Sequence, residues 1–134
     1  MLSVPKIRVV LADDHPEMVE KVRRTLGEEF EIIDAVADGN QAIKAVLTLD
    51  PDVLVTDISM PIRDGLSASK LIQSNNCRAK IIFLTIHDDP DFVTAAISAG
   101  ASGYVTKARL TADLAIAIRA ALEGHTFISC QKLV

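Results

Sequence analysis

The sequence predicts a three-layer α/β domain, a parallel β-sheet with helices packed on both faces. Two observations carry the prediction. Short apolar runs of strand length alternate five times with stretches whose apolar residues recur every three or four positions. The turns between them are brief, with no internal linker, repeat or low-complexity tract. Each strand therefore passes to the next parallel strand through a helical crossover of the usual right hand. At 134 residues the chain forms one domain, large enough to bury a core without disulfide or metal staples.

In order, Ile7–Ala12 is a buried first strand that stops abruptly at Asp13, Asp14, His15 and Pro16. Pro16 suits the first position of a helix, whose apolar face is Val19, Val22 and Leu26 before Gly27 closes the segment. Glu31–Ala37 reads as the second strand. Asp38-Gly39-Asn40 then turns into a helix with Ala42, Ile43, Val46 and Leu47 on one face, ended by Asp50-Pro51. Val53, Leu54 and Val55 form a third strand apolar on both faces, the pattern of the middle of a parallel sheet, and it runs out at Asp57. Asp64-Gly65 signals a turn into a helix from about Leu66 to Ser74. Lys80–Thr85 is the fourth strand, ending on a hydroxyl, and Asp89-Pro90 starts a helix that stops at Gly100, where a missing Cβ suits a left-handed turn. Ser102–Thr106 is a short fifth strand ending at Lys107. Thr111 is expected to cap the last helix, which runs through Leu114, Ile118 and Leu122 to Gly124.

Composition narrows the function. A formal net charge of −4 argues against direct contact with nucleic acid, which needs concentrated Lys and Arg. Cys77 and Cys130 form no CxxC and read as free thiols, and His15, His87 and His125 lack zinc-ligand spacing. The N-terminus has no signal-peptide core, and no run reaches the roughly 18 apolar residues of a membrane span. A cytoplasmic protein with no membrane partner is expected.

A parallel sheet brings the carboxyl ends of its strands to one edge, where ligands of open α/β sheets collect. Here those ends carry Asp13 and Asp14, then Asp57, Thr85 and Lys107, while the second strand contributes no matching group. Singly, each has an ordinary explanation: Asp13-Asp14 as a helix cap, Asp57 as a turn residue, Thr85 as a strand residue, Lys107 as a surface lysine. Together they put three mutually repelling carboxylates in one pocket, which calls for a hard divalent cation with oxygen ligands, Mg2+. A carboxylate beside such an ion can act as a nucleophile toward phosphorus. Asp57 is the candidate, with Asp13 and Asp14 toward the metal, Lys107 pairing with one phosphoryl oxygen and Thr85 donating a hydrogen bond to another.

At these residues the sequence resembles the receiver domain of bacterial two-component response regulators over about residues 6 to 123. The motifs that carry the likeness are Asp13-Asp14, Asp57 followed by Met60-Pro61 and Asp64-Gly65, Thr85, and Lys107. The resemblance implies a flavodoxin-like (βα)5 fold with a five-stranded sheet in the order 2-1-3-4-5. It implies that Asp57 takes a phosphoryl group from a sensor histidine kinase. Asp14, Asp57 and the main-chain carbonyl of Ser59 would ligate Mg2+ directly, with Asp13 mainly through water. It also implies that Tyr104 is a switch aromatic, working with Thr85 to reshape the face of the fourth helix, fifth strand and fifth helix. The other reading of Tyr104 is a half-exposed strand residue packed on the last helix.

The departures from the family's pattern are specific. Ala108 follows Lys107 where many relatives have proline after a cis bond, so the isomer of the Lys107–Ala108 bond is open. Ile86 is larger than the residue many relatives carry after the threonine and is expected to narrow access and slow loss of phosphate. Ser59 and His87 flank the pocket entrance, as tuning residues or as ordinary loop polarity. Residues 1 to 124 are the expected receiver domain, with 125 to 134 the start of a linker or a tail. Glu123–Ser129 is similar to the segment that leads to the linker in NarL/FixJ-type regulators, whose second domain is a LuxR-type helix-turn-helix. Such a domain, attached or lost, would supply the DNA contact and transcriptional output, with homodimerisation on phosphorylation. A stand-alone receiver acting by protein contact is the alternative. An Asp-nucleophile Mg2+ phosphohydrolase would want a second carboxylate two residues after Asp57, where Ser59 stands, so the chain is not expected to be an enzyme. A nucleotide binder would want a glycine-rich loop after the first strand, which is missing.

Overall fold

A computed structural model describes residues 4–129. Its elements are β1 (Ile7–Ala12), α1 (Pro16–Thr25), β2 (Phe30–Val36), α2 (Gly39–Leu49), β3 (Val53–Thr56), α3 (Gly65–Ser74), β4 (Lys80–Thr85), α4 (Pro90–Ser98), β5 (Gly103–Thr106), α5 (Leu110–Leu122) and β6 (Phe127–Ile128). The strands form one parallel sheet in the order β2-β1-β3-β4-β5-β6. The five-strand order implied by the resemblance is present. The added strand is β6, in the segment following α5.

Alternation along each strand divides the core into two layers. Val9, Leu11, Val53, Val55, Ile82, Leu84 and Val105 pack with Val22 of α1 and with Leu114, Ala117 and Ile118 of α5. Their neighbours Val10, Leu54, Ile81, Phe83 and Tyr104 point to the other face, under α2, α3 and α4. Strands buried on both faces are why the sequence shows continuous apolar runs rather than alternation. The helix entrances expected from Asp38, Asp64 and Asp89 are side-chain caps, accepting from the backbone N–H of Gln41, Ser67 and Asp91.

Two local expectations are corrected. Thr111 does not cap α5. A 3-10 turn over Lys107–Arg109 runs straight into the helix, so the cap position falls on Arg109, whose guanidinium bonds Asp113. Nor is Tyr104 half-exposed against the last helix. It is fully buried on the opposite face, in the layer beneath α4, and its hydroxyl donates to the His87 carbonyl at 2.6 Å. The Lys107–Ala108 bond is trans, as is every peptide bond among the described residues. Gly100 takes the left-handed conformation (φ 95°) that its position after α4 suggested. Cys77 is a free thiol, and Cys130 lies outside the described residues.

Candidate functional site

The register brings the acidic residues together. β1 pairs with β3 so that Ala12 lies opposite Thr56, and the ladder continues one step as the Asp57 N–H donates to the Ala12 carbonyl at 2.9 Å. Asp13 and Asp57 thus leave adjacent strands at the same height, both buried. Lys107 follows β5 two strands away. Its ammonium reaches back over the rim to Asp57 Oδ2 at 2.9 Å and Asp13 Oδ2 at 3.0 Å. Burial opposes its charge, but the two carboxylates outweigh that and hold its pKa above the usual lysine value.

Each carboxylate has a defined second partner. Asp57 Oδ1 accepts from the Ile58 N–H at 2.7 Å, and the Thr56 hydroxyl donates to the Asp57 carbonyl. Asp13 Oδ1 accepts from the His15 N–H at 2.9 Å, with His15 Nδ1 also 2.9 Å away. Asp13 Oδ2 is buried, and the Lys107 ammonium 3.0 Å away is its ionic partner. Ligand atoms of Asp13, Asp14, His15 and Asp57 all lie within 4.8 Å of one another. An octahedral ion with bonds of about 2.1 Å separates opposite ligands by about 4.2 Å, so this donor set fits Mg2+ after a small contraction.

The loop after β3 is anchored from α2. The Gly39 N–H donates to the Arg63 carbonyl, and the Arg63 guanidinium bonds Asn40 and Ser67. Between these anchors Ile62 stands in the left-handed region (φ 69°) and is 79 % exposed, an uncommon state for a β-branched residue. Ser59 is exposed on the same loop, with its hydroxyl 3.3 Å from His87 Nε2.

Thr85 ends β4, fully buried, and its hydroxyl accepts from the His87 N–H at 3.3 Å. It does not line the cleft of about 270 Å3 above Asp57. That cleft is walled by Asp57, Lys107, Ser59, His15, Ile86 and His87, with Ile86 74 % exposed at its mouth. His87 links the parts: its ring stacks on Phe92 of α4 at 4.0 Å and its carbonyl receives Tyr104.

Sequence reasoning missed His15. Placed before Pro16, it is held in extended backbone and occupies the cap position of α1. Its ring makes no capping bond and turns back on the acidic pair, 3.3 Å from Asp14 Oδ1. The hydrogen bond and charge of Asp13, with the charge of Asp14, raise its pKa above the ordinary histidine value.

Residues 9–119 match the family model described as "Response regulator receiver domain". The chain is 36 % identical over 126 residues to "Transcriptional regulatory protein DegU" of Brevibacillus brevis, covering 92 % of this chain and 53 % of that protein. It is 40 % identical over 100 residues to "Chemotaxis protein CheY" of Halobacterium salinarum, covering 75 % of this chain and 83 % of that one. A solved two-component response regulator of the LuxR family from Aurantimonas sp. SI85-9A1 superposes with a TM-score of 0.87 at 34 % identity, covering 93 % of this chain and 91 % of that one. Against DegU and several other curated relatives, this chain spans 53–62 % of their length. Among the described residues no helix is long and apolar enough to cross a membrane.

Proposed function

This chain belongs to the response regulator receiver domain family, the phosphorylation-driven signalling module of two-component systems, and on that premise we propose that Asp57 is its phosphoryl acceptor. The observation that carries the assignment is the Lys107 ammonium between Asp57 and Asp13, at 2.9 and 3.0 Å. A cation is already stationed where the negative oxygens of an incoming phosphoryl group would arrive.

Asp57 attacks phosphorus in the phosphohistidine of a sensor histidine kinase. An O–P bond forms, the P–N bond breaks, and the imidazole leaves, taking a proton from solvent. Lys107 transfers its pairing from Asp57 Oδ2 to a phosphoryl oxygen, and the Thr85 hydroxyl donates to another. Asp14, Asp57 and the Ser59 carbonyl would hold Mg2+, with Asp13 through water, and the ion when bound supplies positive charge against which donor, acceptor and phosphoryl oxygens can approach.

Modification of Asp57 then acts through the loop after β4. Thr85 accepts from the His87 N–H, and the His87 carbonyl holds Tyr104, so a pull on the Thr85 hydroxyl bears on Tyr104 and on the α4-β5-α5 face. Tyr104 is fully buried, and phosphorylation shifts a balance between packed states around it. In a protein of the relatives' length, a helix-turn-helix domain beyond this chain would take that signal to DNA, with homodimerisation, in the cytoplasm. The match to CheY, whose length this chain largely spans, favours a second reading as a stand-alone receiver that acts by protein contact.

Incubation with acetyl phosphate and Mg2+ tests the proposal. One phosphoryl group per chain, absent in Asp57→Asn, is the expected outcome. Continuous hydrolysis of phosphate monoesters would overturn it in favour of a phosphohydrolase.

A further inference from the structure

On the side away from β4, β5 carries one more strand, β6. α5 is followed by Gly124 in the left-handed conformation (φ 87°), and the His125 N–H bonds the Ala120 carbonyl at 2.9 Å, so the chain doubles back along β5. The two side chains of β6 divide between the core layers, Phe127 on the side of α5 and Ile128 in the layer of Tyr104. The Phe127 N–H donates to the Ser102 carbonyl at 3.2 Å and the Ser129 N–H to the Tyr104 carbonyl at 2.8 Å. The Ser129 hydroxyl accepts from the Thr106 N–H at 3.0 Å. β6 pairs with β5 over two residues, whereas each of the other strand pairs joins over four or more. A segment held by so few contacts opens at low cost.

The fastening points of β6 are also where two lines of contact from the acceptor end. Lys107, bonded to Asp57, directly follows Thr106, whose N–H Ser129 holds. Thr85 accepts from the His87 N–H, and the His87 carbonyl accepts from the Tyr104 hydroxyl. Tyr104 is thus held at its ring by His87 and at its own carbonyl by Ser129. We propose that β6 is a releasable strap: modification of Asp57 loosens residues 127–129 from β5 and so frees the chain that follows Ser129. This rests on the reading of Asp57 as the phosphoryl acceptor. Lys107, turning from Asp57 to a phosphoryl oxygen, draws on Thr106. Thr85, turning to another oxygen, draws through His87 on Tyr104. Both displacements move β5 groups that Ser129 bonds.

Amide hydrogen exchange tests this, followed by nuclear magnetic resonance on the full chain with and without beryllofluoride and Mg2+, the beryllofluoride standing in for a phosphoryl group on the carboxylate. The Ser129 and Thr106 amides should exchange faster in its presence, on the order of 5- to 150-fold, the ordinary range of coupling between two sites. Binding by itself stabilises the folded chain and slows exchange, so the Val10 amide in β1 should hold or slow while these two quicken. Coupling is reciprocal. Ser129→Ala, which removes only the hydroxyl, should therefore bind beryllofluoride about 2- to 10-fold more tightly, the worth of one hydrogen bond, and Ser129→Thr should return to the parent value. Unchanged or slower exchange at both amides with beryllofluoride bound would overturn the proposal, as would equal or weaker affinity in Ser129→Ala. Faster exchange in Asp57→Asn under the same conditions would also overturn it, because the acceptor would not be the source. Should the fluorine resonance show no beryllofluoride bound to the parent, the reading of Asp57 itself falls, and this inference with it. Bound beryllofluoride with an unresponsive β6 leaves Asp57 standing and removes the strap alone.

Discussion

Gly65 offers a test of how tightly the fold positions the acceptor. Its N–H donates to the Ile58 carbonyl at 2.7 Å, closing the loop after β3 against the start of α3. A Cβ built on Gly65 would fall inside the van der Waals shell of the Asp57 carbonyl oxygen, 3.0 Å from its carbon and 3.2 Å from Ile58 Cα. The three nearest atoms are all backbone, so no flexible side chain can swing away to relieve the contact. Gly65→Ala must therefore displace either α3 or the peptide that carries Asp57 and its hydrogen bond from Ile58. Overpacking of this kind costs about 1–3 kcal/mol, and alanine's better helix propensity recovers at most about 1 kcal/mol, leaving a net loss of up to about 3 kcal/mol. The functional effect should be larger in proportion, because a misplacement of about 1 Å in a reacting group costs on the order of 100-fold in rate. Gly27 is the control: a Cβ there meets nothing within 4 Å and its φ is not positive. Gly27→Ala should be neutral or stabilising by up to about 1 kcal/mol. Urea denaturation and the initial rate of labelling by acetyl phosphate are measured for both variants. Equal denaturation midpoints and equal labelling rates for the two would refute the packing argument.

Three further outcomes follow from other contacts. Lys107→Met removes the ammonium that sits against Asp13 Oδ2 and Asp57 Oδ2. Mg2+ affinity, read by titration calorimetry, should rise while the acetyl phosphate labelling rate falls; an unchanged or weaker Mg2+ affinity would show that lysine and metal do not compete. Tyr104→Phe breaks the buried bond to the His87 carbonyl and should cost about 1 kcal/mol in urea denaturation. Because the chain has one tyrosine and no tryptophan, the parent's near-ultraviolet signal reports this residue directly, and a beryllofluoride-induced change in it would follow the switch. The third outcome concerns pH. Burial pushes the Asp52 carboxyl up, but the Arg8 N–H and the Arg78 guanidinium outweigh it and hold the pKa below the ordinary aspartate value. A depressed native pKa gives stability that is present above the unfolded pKa of about 3.9 and lost as pH falls through the native one. Arg78→Met should thus cost about 1 kcal/mol near neutrality and progressively less below about pH 3.9. A cost independent of pH would assign the effect to packing.

The layers were legible because each rests on a short-range signal. Apolar runs such as Ile7–Ala12 and Lys80–Thr85 match strand length, and Asp38, Asp64 and Asp89 stand where free N–H groups need an acceptor. The placing of Asp13, Asp57 and Lys107 on one rim followed from parallel topology alone. What was not legible depends on partners distant in sequence. Tyr104 alternates correctly for either face of β5, and only the packing under α4 and the carbonyl of His87 decide which face it takes. β6 has just two residues and shows as a strand only beside β5, where Ser129 Oγ accepts from the Thr106 N–H and the Ser129 N–H donates to Tyr104. Thr111 looks like a cap because threonine favours that position, but the 3-10 turn from Lys107 starts α5 earlier. His15 shows no metal spacing against the other histidines and cysteines, whereas its partners are the two carboxylates immediately before it.

The central claim is that Asp57, and no other carboxylate on this rim, receives the phosphoryl group. An acyl phosphate is reduced by borohydride to the corresponding alcohol, so treatment after labelling with acetyl phosphate and Mg2+ converts the modified aspartate to homoserine in place. Tandem mass spectrometry of the digested chain should find homoserine at position 57 alone. Homoserine at position 13 or 14, or a phosphoryl group that resists borohydride on Thr85, would contradict the account.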